Sequence, residues 1–240
     1  MAEYEIIKEN VTKIGEIDGR NLWRPKYRCQ NCSKAIQKQY LRTSGECYHC
    51  NEEDVAVGNY ISKVFAMTFY ASDAEYTEFE EAIFDLKDEL EYVSEFTDIL
   101  EKGFNEYSLS NSDLIVVPPS GTAESDEQNH MKSIGESVSE RVGIPFRDIT
   151  YKKEDYPSQK GLGTEERLEN VKGKIGCTET DIEADNAVVV DDIATSCATL
   201  SATAQALVES GVDNVKGLVI ARDEDLSNLQ YANVLAEVKE

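Results

Sequence analysis

Short apolar runs, separated by longer amphipathic segments, are the feature that most constrains the fold of this 240-residue chain. Residues 114–117, 187–190 and 215–221 are rich in Val, Ile, Leu and Ala, which is typical of strands buried on both faces. Segments with helical periodicity lie between these runs. The sequence therefore predicts parallel βαβ units, in which helices cover both faces of one sheet.

The predicted strands and helices alternate through residues 56–240. Strands are expected at residues 60–71, 114–117, 146–150, 187–190 and 215–221. Helices are expected at residues 73–102, 124–141, 164–171 and 198–210, ended in three cases by Gly103, Gly143 and Gly211. Ligands of such sheets bind beyond the carboxyl ends of the strands, so we expect the site in residues 118–123, 151–170, 191–199 and 222–225.

Four of the six cysteines form two CxxC pairs, Cys29 with Cys32 and Cys47 with Cys50, with 14 residues between the pairs. This spacing predicts a structural zinc site with four thiolate ligands. Two disulfides are the alternative, which the expected cytoplasmic location disfavours. Residues 1–55 have few large apolar side chains and short alternating segments. They are therefore predicted to be a zinc ribbon whose folding depends on the metal.

Charge is distributed unevenly along the chain, whose net charge is −23. The first 54 residues hold nine basic and nine acidic side chains, so the whole negative excess lies in the remainder. Such an acidic surface repels itself unless salt screens it, which indicates a halophilic, haloarchaeal source; an acidic mesophilic protein is the alternative. No run of eighteen apolar residues and no signal-like N-terminus occur, so we expect a cytoplasmic protein that does not enter the membrane.

The centre of the zinc module is basic, with seven basic and no acidic side chains in residues 19–45. Residues 20–42 also contain Trp23, Tyr27 and Tyr40. This composition could bind nucleic acid through phosphate contacts and stacking. Alternatively, the cations form an internal or protein interface, by docking on the acidic second domain, pairing locally or contacting another protein, and the sequence leaves these two alternatives open.

The segment richest in chemical groups is residues 187–200, with the sequence AVVVDDIATSCATL. A buried strand delivers the carboxylates of Asp191 and Asp192 to its end, and a hydroxyl-rich turn then opens a helix. Backbone N–H groups and hydroxyls at a helix start can enclose a phosphate. The carboxylates can accept hydrogen bonds from ribose hydroxyls or bind a phosphate-bound Mg²⁺. The segment therefore predicts a ribose-phosphate site.

This segment closely resembles the phosphoribosyl-pyrophosphate (PRPP) motif of type I phosphoribosyltransferases. The preceding residues Gln159, Leu162, Arg167 and Asn170 resemble an element of the ComF family of competence-associated proteins. That family combines an N-terminal zinc module with this domain, and the three features occur here in the family's order. The resemblance covers about residues 25–222. It implies a zinc ribbon at residues 1–55 and a phosphoribosyltransferase-like α/β domain at residues 56–240.

The resemblance also implies roles for individual residues. Asp191 and Asp192 would bind ribose and Mg²⁺. The turn that holds the 5-phosphate would consist of Thr195, Ser196, Cys197, Ala198 and Thr199. The pyrophosphate loop would contain Pro118, Pro119, Ser120 and Gly121. Residues 151–170 would form a hood over the reacting centre, with diphosphate contacts from Lys152, Lys153, Lys160 and Arg167.

Two features distinguish this chain from that family. Cys197 stands where the family has glycine, which predicts a strain of about 1 kcal/mol if the backbone there has a positive φ. The segment after Pro119 lacks the arginines that the family places there; His130 and Lys132 could partly replace them, but are expected on a helix surface. Two hypotheses result: an enzyme that transfers phosphoribosyl to a nitrogen nucleophile, or a sensor of PRPP or nucleotides that acts with nucleic acid in DNA uptake or processing. The acceptor base and the oligomeric state, including a homo-oligomer, stay open.

Overall fold

The computed structural model describes residues 4–17, 19–30, 32–47, 60–71, 90–120, 130–157 and 162–238. The strands in these residues are β1 (Tyr4–Ile6), β2 (Val11–Ile17), β3 (Arg20–Pro25), β4 (Lys63–Tyr70), β5 (Leu114–Val116), β6 (Thr150–Lys152), β7 (Ile175–Cys177), β8 (Asn186–Ala194), β9 (Asn214–Asp223) and β10 (Leu235–Glu237). The α-helices are α1 (Val93–Glu106), α2 (His130–Val142), α3 (Thr164–Val171), α4 (Ala198–Glu209) and α5 (Leu226–Tyr231). Two short 3₁₀ helices cover Lys8–Asn10 and Lys38–Tyr40.

The central sheet consists of four parallel strands in the order β4–β9–β8–β5 within the described ranges. Val189 of β8 lies between Gly217 of β9 and Val116 of β5, so the carboxyl ends of the strands meet at one edge. Each strand is rich in side chains that tolerate burial on both faces. The predicted α/β class with a parallel sheet is confirmed.

Helices cover both faces of this sheet, because successive strand residues point in opposite directions. Val188 and Val190 of β8 pack in one cluster with Phe96 and Phe104 of α1 and Ile134 of α2. The intervening residues of the same strand face α4. That second cluster contains Val189 of β8 together with Leu200, Ala204 and Leu207. The strands therefore lie between two helical layers.

The N-terminal residues lie along the β4 edge of the sheet. Strands β2 and β3 form an antiparallel ribbon, as predicted for this module. The hydroxyl of Thr68 in β4 donates to the carbonyl oxygen of Trp23 in β3 at 2.6 Å, which joins the ribbon to the sheet. Strand β1 pairs antiparallel with β10, so the two ends of the described chain are hydrogen-bonded to each other.

A smaller unit stands at the carboxyl edge of the sheet. Strands β6 and β7 pair antiparallel, and α3 lies between them in sequence. Val171 of α3 and Ile175 of β7 pack with Ala198, Ala202 and Ala206 on α4. This places the predicted hood segment beside α4, the helix that begins at Ala198.

The structure corrects the predicted end of α1. The helix continues past Gly103 to Glu106. A Cβ at Gly103 would lie 2.8 Å from Met67 Sδ and 2.9 Å from a Leu218 methyl carbon, so this glycine permits close packing of the helix on the sheet. The first part of the predicted helix, residues 73–89, lies outside the described residues.

The strand predicted at residues 146–150 is also corrected. Phe146 makes only an isolated parallel bridge to Ile115, and regular strand geometry begins at Thr150 in β6. In contrast, Gly143 follows α2 with φ of +72°, and Gly211 follows α4 with φ of +111°, so both predicted helix ends are confirmed. No helix in the described part of the chain has both the length and the apolar character needed to cross a membrane.

Candidate functional site

A cavity of about 290 Å³ lies at the carboxyl end of β8, where the strand passes through a turn into α4. Its lining includes Asp191 and every residue that was predicted to hold the 5-phosphate. The lining residues are Arg167, Asp191, Ile193, Ala194, Thr195, Ser196, Cys197, Ala198, Thr199 and Leu200. Arg167 comes from α3, so the structure brings a predicted cation of the hood to the predicted phosphate turn.

The shape of this turn depends on Cys197, which is the N-cap residue of α4. Its backbone has φ of +61° and ψ of +14°, in the left-handed region that favours glycine. The condition under which strain was expected at Cys197, a positive φ, is therefore met. The N–H of Ala198 donates to Ser196 Oγ at 3.3 Å, which tightens the turn. The cavity thus lies at the start of a twelve-residue helix, where the helix dipole favours an anion.

The two adjacent carboxylates have different surroundings. Asp191 lines the cavity, and its Oδ1 accepts the backbone N–H of Asp192 at 3.0 Å. Asp192 Oδ1 accepts the N–H of Ile193 at 2.6 Å, while its Oδ2 lies 3.1 Å from His130 Nε2. Carboxylate oxygens are ligands that Mg²⁺ prefers, and Asp191 is the member of the pair that lines the cavity.

His130 was expected on a helix surface, and the structure corrects this. It is the first residue of α2 and its side chain is largely buried against Asp192. Strand order explains the contact: β5 pairs with β8, so the helix that follows β5 starts beside the end of β8. Lys132 does lie at the surface, where it pairs with Asp148 at 2.6 Å.

The described part of the pyrophosphate loop follows β5. Pro119 and Ser120 are half-buried there and are not among the cavity-lining residues. Gly121 lies outside the described residues, as do Gln159 and Lys160 of the predicted hood. Of the predicted pyrophosphate loop, the structure therefore describes only residues 118–120.

The predicted hood residues largely organise the hood itself. Arg167 Nε donates to the carbonyl oxygen of Leu162 at 2.8 Å, and Asn170 Nδ2 donates to that of Pro157 at 2.9 Å. Lys152 Nζ lies 4.6 Å from the centre of the Tyr156 ring. Burial raises the pKa of the Tyr156 hydroxyl, and the negative charge of Asp191 raises it further. Tyr156 belongs to the predicted hood, and sequence reasoning did not single out its interaction with Asp191.

Three of the four predicted zinc ligands form a cluster. The sulfur atoms of Cys29, Cys32 and Cys47 lie within 4.8 Å of one another. The backbone N–H groups of Cys32 and Cys47 point at Cys29 Sγ, at 3.4 and 3.3 Å. Such contacts favour a negatively charged sulfur, so these residues fit a thiolate-bound zinc ion. Cys50 lies outside the described residues.

Two basic residues of the zinc module dock on the second part of the chain. Arg24 pairs with Glu106 of α1 at 2.6 Å. The guanidinium of Arg28 donates to the carbonyl oxygen of Ala66 and to the hydroxyl of Tyr107. Burial lowers the pKa of Arg28, although Tyr107 opposes the shift. Internal docking, one of the two alternatives for this basic segment, is therefore present for these residues.

Comparisons with known proteins add little to this description. No protein-family model matches the chain, and no curated protein matches it significantly in sequence. An allosteric regulatory enzyme of purine biosynthesis is similar in structure, with 21% identity over 50% of this chain and 24% of that one and a TM-score of 0.32. A purine phosphoribosyltransferase from Pyrococcus horikoshii has 16% identity over 55% of this chain and 83% of its own, with a TM-score of 0.33.

This chain spans about a quarter of the length of the first of these two proteins. Both TM-scores are low, so neither likeness supports an argument about function. What the chain itself defines is a parallel α/β fold with a candidate phosphate-binding turn and a cluster of three cysteines.

Proposed function

We propose that the protein binds PRPP, or another ribose 5-phosphate ligand, together with Mg²⁺ in the cavity at the end of β8. In this proposal it transfers the phosphoribosyl group to a nitrogen nucleophile and releases pyrophosphate. The observation that carries the proposal is the cavity itself, which is lined by Asp191, Arg167 and the turn from Thr195 to Thr199. Its volume of about 290 Å³ lies near the lower limit for small-molecule sites.

Each part of the lining has a proposed role. The turn and the N-terminus of α4 hold the 5-phosphate. The carboxylate of Asp191 orients the ribose and binds Mg²⁺, with Asp192 behind it. Arg167 offsets negative charge on the departing diphosphate. Positive charge develops on the ribose as the bond to the diphosphate breaks, so the nearby carboxylates also stabilise the reacting centre.

Two elements around the cavity complete the proposed site. Mg²⁺, when bound, neutralises charge on the diphosphate and promotes its departure. The hood, which includes Tyr156 and α3, excludes water from the reacting centre. Pro119, Ser120, Gly121 and Lys160 are proposed to contact the diphosphate, as the family resemblance implies.

The remaining proposals concern the organisation of the chain. Residues 1–55 are proposed to be a zinc ribbon with Cys29, Cys32, Cys47 and Cys50 as ligands, and residues 56–240 the phosphoribosyltransferase-like domain. The cytoplasm of a halophile is the proposed location. Membership of the ComF family is likewise a proposal, based on the order of the zinc module, the hood element and the PRPP motif.

A second candidate function is a ribose-phosphate or nucleotide sensor without catalysis. The observation that favours it is Cys197, whose side chain stands at a left-handed position beside the cavity. The lack of arginine in residues 118–130 also favours it, because a departing diphosphate needs nearby positive charge. The sensor could act with nucleic acid or a protein through residues 20–42.

Calorimetric titration of PRPP with Mg²⁺, at molar KCl, tests the first step. Wild type should bind PRPP. Asp191→Asn should weaken binding at least tenfold, since it removes the negative charge that is proposed to bind Mg²⁺ and orient the ribose. Asp213→Asn changes an exposed carboxylate that is not in the cavity lining and should bind like wild type. If wild type does not bind PRPP, the transferase and a sensor of PRPP are both wrong.

Pyrophosphate release separates the two functions. Wild type should release pyrophosphate from PRPP when a panel of nitrogenous bases is supplied, and Arg167→Met should slow this release more than it weakens PRPP binding. Lys172→Met, which changes an exposed cation at the end of α3, is the matched control. PRPP binding without pyrophosphate release across the panel would favour the sensor.

A further inference from the structure

Arg222 is a buried cation that the proposed chemistry does not use. It lies near the carboxyl end of β9 and only 6% of its surface is exposed. Its Nη1 donates to Cys197 Sγ at 2.8 Å. Its Nε is the single buried side-chain nitrogen or oxygen without a hydrogen-bond partner among the described residues. Burying a guanidinium so incompletely satisfied is costly, so other interactions must hold it there.

The hydrogen bond from Arg222 to Cys197 restrains the phosphate turn. Cys197 is 5% exposed and its backbone is in the left-handed region, which is unfavourable for a residue with a Cβ. Such a conformation persists only where its surroundings impose it. Because Arg222 donates a hydrogen bond to the sulfur of this residue, it acts as a positioning residue for the turn.

Glu224, two residues further along, connects the same strand end to the zinc module. This side chain is 4% exposed, and its Oε1 accepts the backbone N–H of Ala35 at 2.7 Å. Asn228 Nδ2 donates to Glu224 Oε2 and also, at 3.3 Å, to the carbonyl oxygen of Ala35. Both backbone groups of Ala35 are therefore tied to residues around the end of β9.

Ala35 closes the loop that carries the first pair of zinc ligands. It forms an antiparallel bridge with Arg28, and the N–H of Cys29 donates to the carbonyl oxygen of Lys34 at 3.0 Å. We call residues 28–35 the first knuckle. Ser33 adds a further bond from this knuckle to the sheet, to the carbonyl oxygen of Val64. The position of Ala35 thus depends on the shape of the first knuckle.

Electrostatics connects the two sites as well. Burial acts to lower the pKa of Arg222, but negative charge at Cys197, Glu224 and Cys32 outweighs it and raises the pKa. Cys32 is one of the clustered zinc ligands, and Cys197 lines the phosphate cavity.

We propose that Arg222 and Glu224 couple the first knuckle to the phosphate turn, so that the metal-loaded knuckle holds Cys197 and the turn in the shape that binds the ligand. The role of the turn rests on the proposed function. The coupling itself is a property of the chain and can be measured without PRPP. Loss of zinc would release Ala35, then Glu224 and Arg222, and would thereby loosen the turn around Cys197.

The alkylation rate of each cysteine, measured by peptide mass spectrometry after iodoacetamide treatment, reports this directly. Chelation of zinc from the wild-type chain should accelerate labelling of Cys197 at least tenfold. Cys177 is half-buried in β7 of the same domain and is the internal control for general opening. Its labelling should change less than twofold. Restoring Zn²⁺ should return Cys197 to its slow rate.

Substitutions test the connection in the zinc-loaded chain. Arg222→Met should accelerate Cys197 labelling at least tenfold at an unchanged zinc content, and Arg222→Lys should restore part of the protection. Glu224→Ala should act like Arg222→Met. Arg141→Met is the matched control, because Arg141 pairs at the surface with Asp98 and Glu101, and it should leave labelling unchanged. Chelation should add less than twofold to the effect of Arg222→Met, since the connection is already broken.

Two results would overturn the coupling. One is an unchanged Cys197 rate after complete removal of zinc from wild type. The other is an equal acceleration of Cys197 and Cys177, which would mean that the whole domain opens. A wild-type protein that fails to bind PRPP while Cys197 responds to zinc would overturn the proposed function and leave the coupling in place. The chelation experiment needs no substitution, so it holds even where a variant does not fold.

Discussion

Replacing Cys197 with glycine sets two effects against each other. Glycine would relieve the left-handed backbone, where φ is +61°, and this relief is worth about 1–2 kcal/mol. Glycine would also remove the sulfur that accepts from Arg222 Nη1 at 2.8 Å. Arg222 Nε already lacks a partner, and Nη1 of the same buried guanidinium would now lose its hydrogen bond to Cys197. This loss costs about 1–3 kcal/mol.

Two smaller effects favour the cysteine. Glycine gains more freedom in the unfolded chain, which costs roughly 0.5–1 kcal/mol, and the buried side chain would leave a small void with a cost of about 1 kcal/mol. We therefore expect Cys197→Gly to lower the free energy of unfolding by about 2 kcal/mol, although glycine suits the backbone better. Chemical denaturation followed by circular dichroism measures this change.

Asp181→Gly is the matched control for the backbone effect. Asp181 has nearly the same φ, +57°, but its side chain is exposed. The same replacement should relieve strain there without removing a buried partner, so Asp181→Gly should be neutral or stabilising by up to about 1 kcal/mol. If Cys197→Gly were as stable as wild type or more stable, the contact with Arg222 would contribute nothing and our reasoning about the turn would fail.

Three further predictions concern stability. Gly103→Ala should destabilise by about 1–3 kcal/mol, since the new methyl group would lie 2.8 Å from Met67 Sδ, and an unchanged denaturation midpoint for this variant would contradict the packing. Burial raises the pKa of Glu224 from its ordinary 4.5 to about 7, against the opposing bond from Ala35. The folded chain therefore keeps a proton that the unfolded chain releases, and stability should fall by about 3 kcal/mol as the pH rises from 4.5 to 7. Glu224→Gln should flatten the profile of unfolding free energy against pH between 4.5 and 7. An unaltered profile would show that other groups cause the loss of stability. Thermal melts should rise between low and molar KCl because salt screens the net charge of −23, and melts that do not rise would contradict a halophilic adaptation.

Elements whose formation depends on local pattern were predicted well. Helix α3 covers Thr164–Val171, the residues expected from the sequence, and α4 ends within one residue of its predicted end. The buried strands were found because their runs of apolar residues are continuous. Strand β8 extends beyond the predicted residues 187–190 to Ala194, since Asp191, Ile193 and Ala194 still pair with β9.

Predictions that depended on neighbours in space were less successful. Gly103 has the sequence features of a helix end, yet the helix continues, because the missing side chain admits Met67 and Leu218. His130 follows a segment with no distinctive motif, and only the pairing of β5 with β8 brings it to Asp192. Neither contact leaves a periodic trace in the sequence.

The sequence by itself determined the parallel α/β class, the hydroxyl-rich turn before α4 and the spacing of the cysteines, because each depends on residues that are close together along the chain. The tertiary structure decided which distant residues meet there. It brought Arg167 to the turn, His130 to Asp192, and the first knuckle to Glu224 beside Arg222. Such contacts are set by the order of strands and the docking of the N-terminal ribbon, which involve long-range packing rather than local preference.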